Sequence, residues 1–379
     1  MIYLDNAATT SPKPKCVTDS VIKGMQLSAN PGRSGHKMSQ QASEEVFTVR
    51  KKLGDFFSCK SVERIIFTQN CTQSLNTAIR GVVKRGDHVI TSPFEHNSVM
   101  RVLHKLKKEG IITYDIAGVY PENDDLTVAS FASKIRRNTS LIICTHASNV
   151  FGFVTPIEKI GELAHGYGLK FIVDGAQTAG TVEIDMDKMN IDALCIPGHK
   201  GIYGAMGTGA LLLSERCDIA PFIVGGTGSE SMNLEQPSYY PDKLESGTLN
   251  LPGIMSMGSG IDFVKEKNLK KIHEYEMNLC NELYNSLYNI KGIKIYSLND
   301  CRYSVPIVAF NYKNMHSEEV SHYLDKCNIG VRAGYHCSYS AHKHYGTEEQ
   351  GVVRVSVGVF NSINDIKNLV NCLNKIEKA

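Results

Sequence analysis

Between about residue 60 and residue 174 the chain alternates two patterns of apolar positions. Short, nearly unbroken apolar runs at 64–68, 88–91, 111–114, 140–145 and 170–173 predict β-strands. The runs at 140–145 and 170–173 have the composition of strands buried on both faces. Between them lie longer segments whose apolar residues recur at helical spacing. In 72–83 these are Leu75, Ala78, Ile79 and Val82; 97–107 and 157–166 read the same way. Strands alternating with helices predict βαβ units, a mostly parallel sheet and helices on both of its faces. The pattern changes near Pro252-Gly253. A long polar helix at 269–288 follows, then strands at 306–310 and 352–357 and helices at 317–327 and 364–376. This predicts a large domain over 1–254 and a smaller α/β domain over 255–379.

Composition narrows the class. Of 379 residues, 42% are hydrophobic and 21% charged, as in ordinary globular proteins, and the formal net charge of +2 carries no nucleic-acid footprint. No apolar run reaches membrane-spanning length, and no signal peptide is visible, so a cytoplasmic location is expected. The eleven cysteines are scattered with no C-x-x-C pair, and in a reducing compartment free thiols are expected. Glycine-rich pieces at 204–209 and 225–228 match neither a dinucleotide fingerprint nor a phosphate-binding P-loop.

Candidate chemistry gathers at predicted strand ends, where open parallel sheets bind ligands. Asn70-Cys71-Thr72 closes one strand and opens a helix, an anion-binding arrangement that equally describes a plain helix cap. His96 is suited to stack on a planar ring or to act as a base, and equally to cap a helix. Asp174 ends a buried strand and calls for a cationic partner, such as a protonated pyridine nitrogen; Gln177 follows it. Lys200, in Gly198-His199-Lys200-Gly201, carries a titratable amine that desolvation makes nucleophilic. Cys337, beside Arg332 and His336, is expected to have raised thiolate character. The spacing of His336, Cys337, His342 and His344 fits no standard zinc pattern, and no metal site is expected. Arg354 lies within a strand-like run, either as a carboxylate clamp or on a solvent face; alternation leaves both open.

In order along the chain, these stretches resemble the class V aminotransferase superfamily of pyridoxal phosphate enzymes, most closely its cysteine desulfurase and selenocysteine lyase branch. The likeness runs through Tyr3-Leu4-Asp5-Asn6-Ala7-Ala8-Thr9-Thr10, Glu95-His96, Ser148-Asn149, Asp174-Gly175-Ala176-Gln177, Gly198-His199-Lys200, Glu245-Ser246-Gly247-Thr248, Arg332-x-Gly334-x-His336-Cys337 and Arg354. It implies an α/β architecture, the fold type I of pyridoxal phosphate transferases. A mostly parallel seven-stranded sheet forms the large domain, and the N-terminal segment packs toward the small one. It implies that Lys200 bonds the cofactor aldehyde, Asp174 pairs with the ring nitrogen, Gln177 contacts the ring hydroxyl and His96 stacks on the ring. Cys71, Thr72 and His199 would hold the phosphate, joined by Thr248 from the partner subunit of a homodimer. Asn149 and Arg354 would bind the substrate carboxylate, with Arg33 and His36 near the substrate mouth. Cys337 would accept sulfur from L-cysteine, giving alanine and a persulfide for an acceptor protein or thiol. The short Arg332-to-Cys337 spacing resembles the SUF-type, group II members. Many relatives have Ser where this chain has Pro197, so phosphate binding is expected to lean on Thr72, His199 and Thr248. The sequence opens directly on the Leu4-Asp5 motif, where many SUF-type members carry a preceding helix. The alternatives are selenocysteine or another β-substituted amino acid as substrate, another class V lyase or aminotransferase, or a non-catalytic cofactor-binding sulfur carrier.

Overall fold

The computed structural model of the chain describes residues 1–32 and 34–376. An N-terminal strand β1 (Ile2–Tyr3) precedes two helices, α1 (Lys15–Leu27) and α2 (Lys37–Phe57). Then the alternation begins: β2 (Ile65–Thr68), α3 (Cys71–Val82), β3 (Asp87–Thr91), α4 (Asn97–Lys108), β4 (Ile112–Ile116), α5 (Asp124–Ala132), β5 (Thr139–Thr145), α6 (Ile157–Gly166) and β6 (Lys170–Asp174). Two strands close the sheet, β7 (Ala193–Pro197) and β8 (Gly209–Leu213). Its seven strands run in the order β2-β8-β7-β6-β5-β3-β4. β8 alone runs opposite to the other six strands. As predicted for a parallel sheet covered on both faces, β5 is buried at all but one position, and β7 and β8 throughout.

Helix α7 (Leu251–Lys267) runs unbroken through Pro252 and Gly253 and packs against α1 and α2. Pro252 is tolerated because it occupies the first turn, where no intrahelical N–H partner is lost, and Asn250 caps the helix. The remainder comprises α8 (Leu269–Tyr288), β9 (Ile293–Ile295), β10 (Ile307–Tyr312), α9 (Ser317–Lys326), β11 (Ile329–Gly330), β12 (Arg332–Gly334), α10 (Tyr339–Tyr345), β13 (Val352–Ser356) and α11 (Ile363–Leu373). Strands β12-β13-β10-β9 form an antiparallel sheet, and α8, α9 and α11 pack on it. β1 pairs in parallel with β11, so the first residues of the chain join the C-terminal sheet region.

Two features differ from the sequence expectations or escape them. The expectation of free thiols is corrected at one pair: Cys327 and Cys372 form a disulfide joining the end of α9 to α11, where the fold brings the two side chains together. Arg50 and Glu245 form a buried ion pair, two-pronged at 2.9 and 2.6 Å, and Glu245 also accepts the Phe67 N–H. That pair fastens α2 and β2 to the segment leading into α7. No described helix is long and apolar enough to cross a membrane.

Glu276 on α8 is buried, receiving the Val359 N–H and the Tyr203 hydroxyl, and burial pushes its pKa up to about 8 from an ordinary 4.5. In the unfolded chain this carboxyl ionises near 4.5, whereas the folded chain holds its proton to about 8. The folded state thus binds the extra proton across that window, and Glu276 makes stability fall as pH rises through it. Glu276→Gln, measured by chemical denaturation at pH 5 and pH 8, should shrink the difference in unfolding free energy by on the order of 1 kcal/mol or more. An unchanged difference would show that Glu276 is ionised in the folded protein.

Candidate active site

The carboxyl ends of the parallel strands surround a cavity of about 170 Å³. Its lining includes Cys71, Thr72, His96, Asn149, Asp174, Gln177, His199 and Lys200, eight of the residues singled out from the sequence, with Pro197 beside them. The helix-cap readings of both stretches hold. Asn70 caps α3 by accepting the Gln73 N–H at 2.9 Å, and His96 caps α4 through Nδ1, which accepts the Ser98 N–H at 3.1 Å. With Nδ1 used as an acceptor, the ring proton of His96 sits on Nε2. Burial, aided by the charges of Lys200 and Arg332, lowers the His96 pKa to about 4, so the ring is neutral at physiological pH.

Asp174 is the last residue of β6 and is buried. Its Oδ1 receives the Ala176 N–H at 2.9 Å and faces Cys71 Sγ at 3.6 Å. Burial raises its pKa; the Ala176 N–H and Lys200 oppose that rise. Among the described residues it has no ion-pair partner, so the position retains the demand for a cation inferred from the sequence. Lys200 Nζ has no hydrogen-bond partner among the described residues. Burial lowers its pKa to about 8, with Arg354 adding to the effect and Asp174 opposing it. Gln177 Nε2 donates to the Ala7 carbonyl at 3.2 Å.

Arg354, on β13, is 1% exposed, which decides against its solvent-face reading. Nη1 donates to the Asn149 carbonyl at 2.7 Å and Nη2 to Asp5 Oδ1 at 2.6 Å, while Nε has no partner among the described residues. Asn149 Oδ1 and His199 Nδ1 are likewise buried without a described partner. Asp5 was quoted in the N-terminal motif but not read as a site residue. Its signal is a carboxylate between Leu4 and Asn6, but its arginine lies 349 residues away.

Cys337 is exposed, and its thiol stands 3.9 Å from Arg332 Nη2. His336, named from the sequence with Arg332 as a neighbour of the thiol, is buried and uncharged; desolvation holds its pKa well below the ordinary value. His336 and Cys337 have φ of 49° and 58°, left-handed conformations costing non-glycine residues about 1–2 kcal/mol each. The surroundings impose them. Asn149 Nδ2 donates to the His336 carbonyl at 2.7 Å, the Asn97 N–H to the Cys337 carbonyl at 2.7 Å, and Ser338 Oγ to the Glu95 carbonyl at 2.8 Å. Cys337 is therefore fixed against the loop that carries His96.

Of the described sequence candidates, Arg354, Cys337, His36 and Thr248 are not among the residues lining the cavity. His36 is exposed and caps α2, accepting the Ser39 N–H at 3.2 Å. Thr248 is exposed and outside the cavity lining. Arg33 lies outside the described residues.

The cavity passes a test of fit for pyridoxal phosphate on its own chemistry. It holds an unpaired amine for an aldehyde, a buried carboxylate lacking a cation, and a helix start flanked by polar side chains for an anion. The orphaned His199 Nδ1 and Asn149 Oδ1 supply further polar contacts. The model of the family described as Aminotransferase class-V matches residues 2–369. A probable cysteine desulfurase of Methanothermobacter thermautotrophicus is 31% identical over 386 residues, covering 99% of this chain and 94% of its own. The cysteine desulfurase of Wigglesworthia glossinidia brevipalpis is 32% identical, covering 100% and 93%. Among solved structures, the apo cysteine desulfurase of Thermococcus onnurineus NA1 matches with a TM-score of 0.93 at 29% identity, covering 100% of this chain and 94% of that one.

Proposed function

The chain belongs to the class-V aminotransferase family, and from that premise we propose that it is a pyridoxal-phosphate-dependent cysteine desulfurase with Cys337 as its sulfur acceptor. The observation that carries this reading is that Lys200, whose amine has no hydrogen-bond partner among the described residues, lines the same cavity as His96, while the exposed thiol of Cys337 is held on left-handed backbone against the loop that carries His96. Lys200 is the attachment residue. Asp174 holds the ring nitrogen, Gln177 the ring hydroxyl, His96 one ring face, and Cys71, Thr72 and His199 the phosphate. When bound, the cofactor supplies an electron sink for charge developing at the substrate α-carbon.

The chain's own residues do the rest. Arg354 and Asn149 orient the substrate carboxylate, with the guanidinium preset by Asp5 and the Asn149 carbonyl. Lys200 Nζ, with a pKa near 8, is poised to take the α-proton and return a proton to the product. Cys337 Sγ, beside the Arg332 guanidinium, attacks the substrate sulfur. The substrate carbon–sulfur bond breaks as a sulfur–sulfur bond forms, and the β-carbon takes a proton. One cysteine and one thiol thus become one alanine and one persulfide, with no outside oxidant. The persulfide then passes to a thiol or acceptor protein.

A homodimer completes the site through Thr248. The segment around it exposes Phe222, Ile223, Val224, Met232 and Leu234, an apolar surface suited to a second copy of the chain. The protein works in the cytoplasm. Incubating the loaded enzyme with L-cysteine and a reducing thiol should yield alanine and sulfide in equal amounts. Sulfide accompanied by pyruvate instead of alanine would contradict the assignment.

A further inference from the structure

The carbonyl oxygen of His199 attracts more donors than its two lone pairs serve equally. Lys13 Nζ lies 2.7 Å from it, Thr9 Oγ1 3.1 Å, and the Thr10 N–H and Oγ1 both 3.2 Å. Lys13 is the closest of these and the only charged one, which makes its bond the strongest. The next carbonyl, that of Lys200, accepts Thr10 Oγ1 at 3.1 Å and the Tyr203 N–H at 2.7 Å. Lys13 Nζ also donates to Thr10 Oγ1 at 2.8 Å, so the lysine and the threonine brace each other.

The environment of Lys13 is unusual for its type. It is half-buried, burial lowers its pKa to about 8, and among the described residues no carboxylate pairs with it. An ammonium without a counter-charge loses hydration on burial, and here a backbone carbonyl is its main compensation. That carbonyl belongs to the planar peptide unit that also contains the nitrogen and Cα of Lys200. Holding its oxygen therefore fixes where the Lys200 side chain begins. Within the loop, the Gly198 N–H donates to the Thr208 carbonyl at 2.9 Å and the Gly204 N–H to the Gly198 carbonyl at 2.7 Å, but neither bond holds the His199–Lys200 peptide itself.

We propose that Lys13 is a positioning residue for Lys200: its ammonium, braced by Thr10, pins the His199–Lys200 peptide from the N-terminal segment. The functional consequence rests on Lys200 being the cofactor attachment residue; the pinning does not. Segment 9–13 then serves as a strut between the start of the chain and the loop after β7.

Hydrogen–deuterium exchange on the cofactor-free chain tests the pinning directly. In Lys13→Met, amides in 199–204 should exchange about tenfold faster than in the wild type, with β5 and β6 unchanged. Lys13→Arg, which keeps the charge and the reach, should restore most of the protection. In the loaded enzyme, Lys13→Met should lower kcat several-fold with little change in KM for L-cysteine. Unaltered exchange in 199–204, or equal acceleration in β5 and β6, would overturn the proposal, the second because it reports general destabilisation. Faster local exchange together with a wild type that makes no alanine would leave the strut standing and sink the desulfurase reading.

Discussion

Lys200→Ala should lower alanine formation from L-cysteine by at least about a thousandfold while leaving the fold intact. Its amine makes no hydrogen bond among the described residues, so truncation breaks no structural contact of that group. Burial already disfavours its charged form, lowering the pKa from 10.5 to about 8. Between those values the unfolded lysine holds a proton that the folded one has released, so the side chain costs stability below pH 8, and its removal relieves that cost. The cofactor-free variant should therefore melt no lower than the wild type at pH 7. The visible absorbance of the loaded wild type should be missing from it. Retained alanine formation would move the catalytic amine elsewhere.

The second large effect is at Cys337. Cys337→Ser should reduce desulfuration of L-cysteine by about a hundredfold or more, because a hydroxyl neither ionises readily nor forms a persulfide. The backbone there is held through the Cys337 carbonyl by the Asn97 N–H and through its neighbours, and the thiol itself is exposed. The substitution should therefore leave melting temperature and cofactor absorbance unchanged. A variant that desulfurates L-cysteine at the wild-type rate would remove Cys337 from the reaction.

Local patterns made most of the large sheet legible. Apolar runs predicted β2 through β6 to within a few residues, most plainly at β5 and β6, because strands buried on both faces leave a continuous apolar signature that the half-exposed edge strand β4 carries only weakly. α6 and α8 were likewise bounded correctly by their periodicity. β8 went unnoticed: its Ala-Leu-Leu-Leu run follows glycine-rich sequence that carries no strand signal, and its antiparallel placement depends on β2 and β7. α1 and α2 also went unread, since their turns carry many polar residues and their apolar stripes face α7 across the fold.

At the site, the distinction lies between residue type and residue partner. Lys200, Asp174, Cys71 and His96 could be singled out because each is chemically conspicuous at a strand end. Whether Arg354 faced solvent or was buried depended on a neighbour at the opposite end of the chain, Asp5, and on the Asn149 carbonyl. That His336 is uncharged was not legible for the same reason: desolvation is a property of the surroundings. The donors converging on His199 come from residues 9–13, close in space and 186 or more residues away in sequence.

The central claim joins Lys200 and Cys337 in one reaction. It is tested most directly by peptide mass mapping after the loaded enzyme meets L-cysteine without any reducing thiol. The account predicts one added sulfur atom on the peptide containing Cys337, in an amount matching the alanine released, and no such addition in Lys200→Ala. Alanine release with an unmodified Cys337 peptide, or the added sulfur appearing on another cysteine, would contradict it.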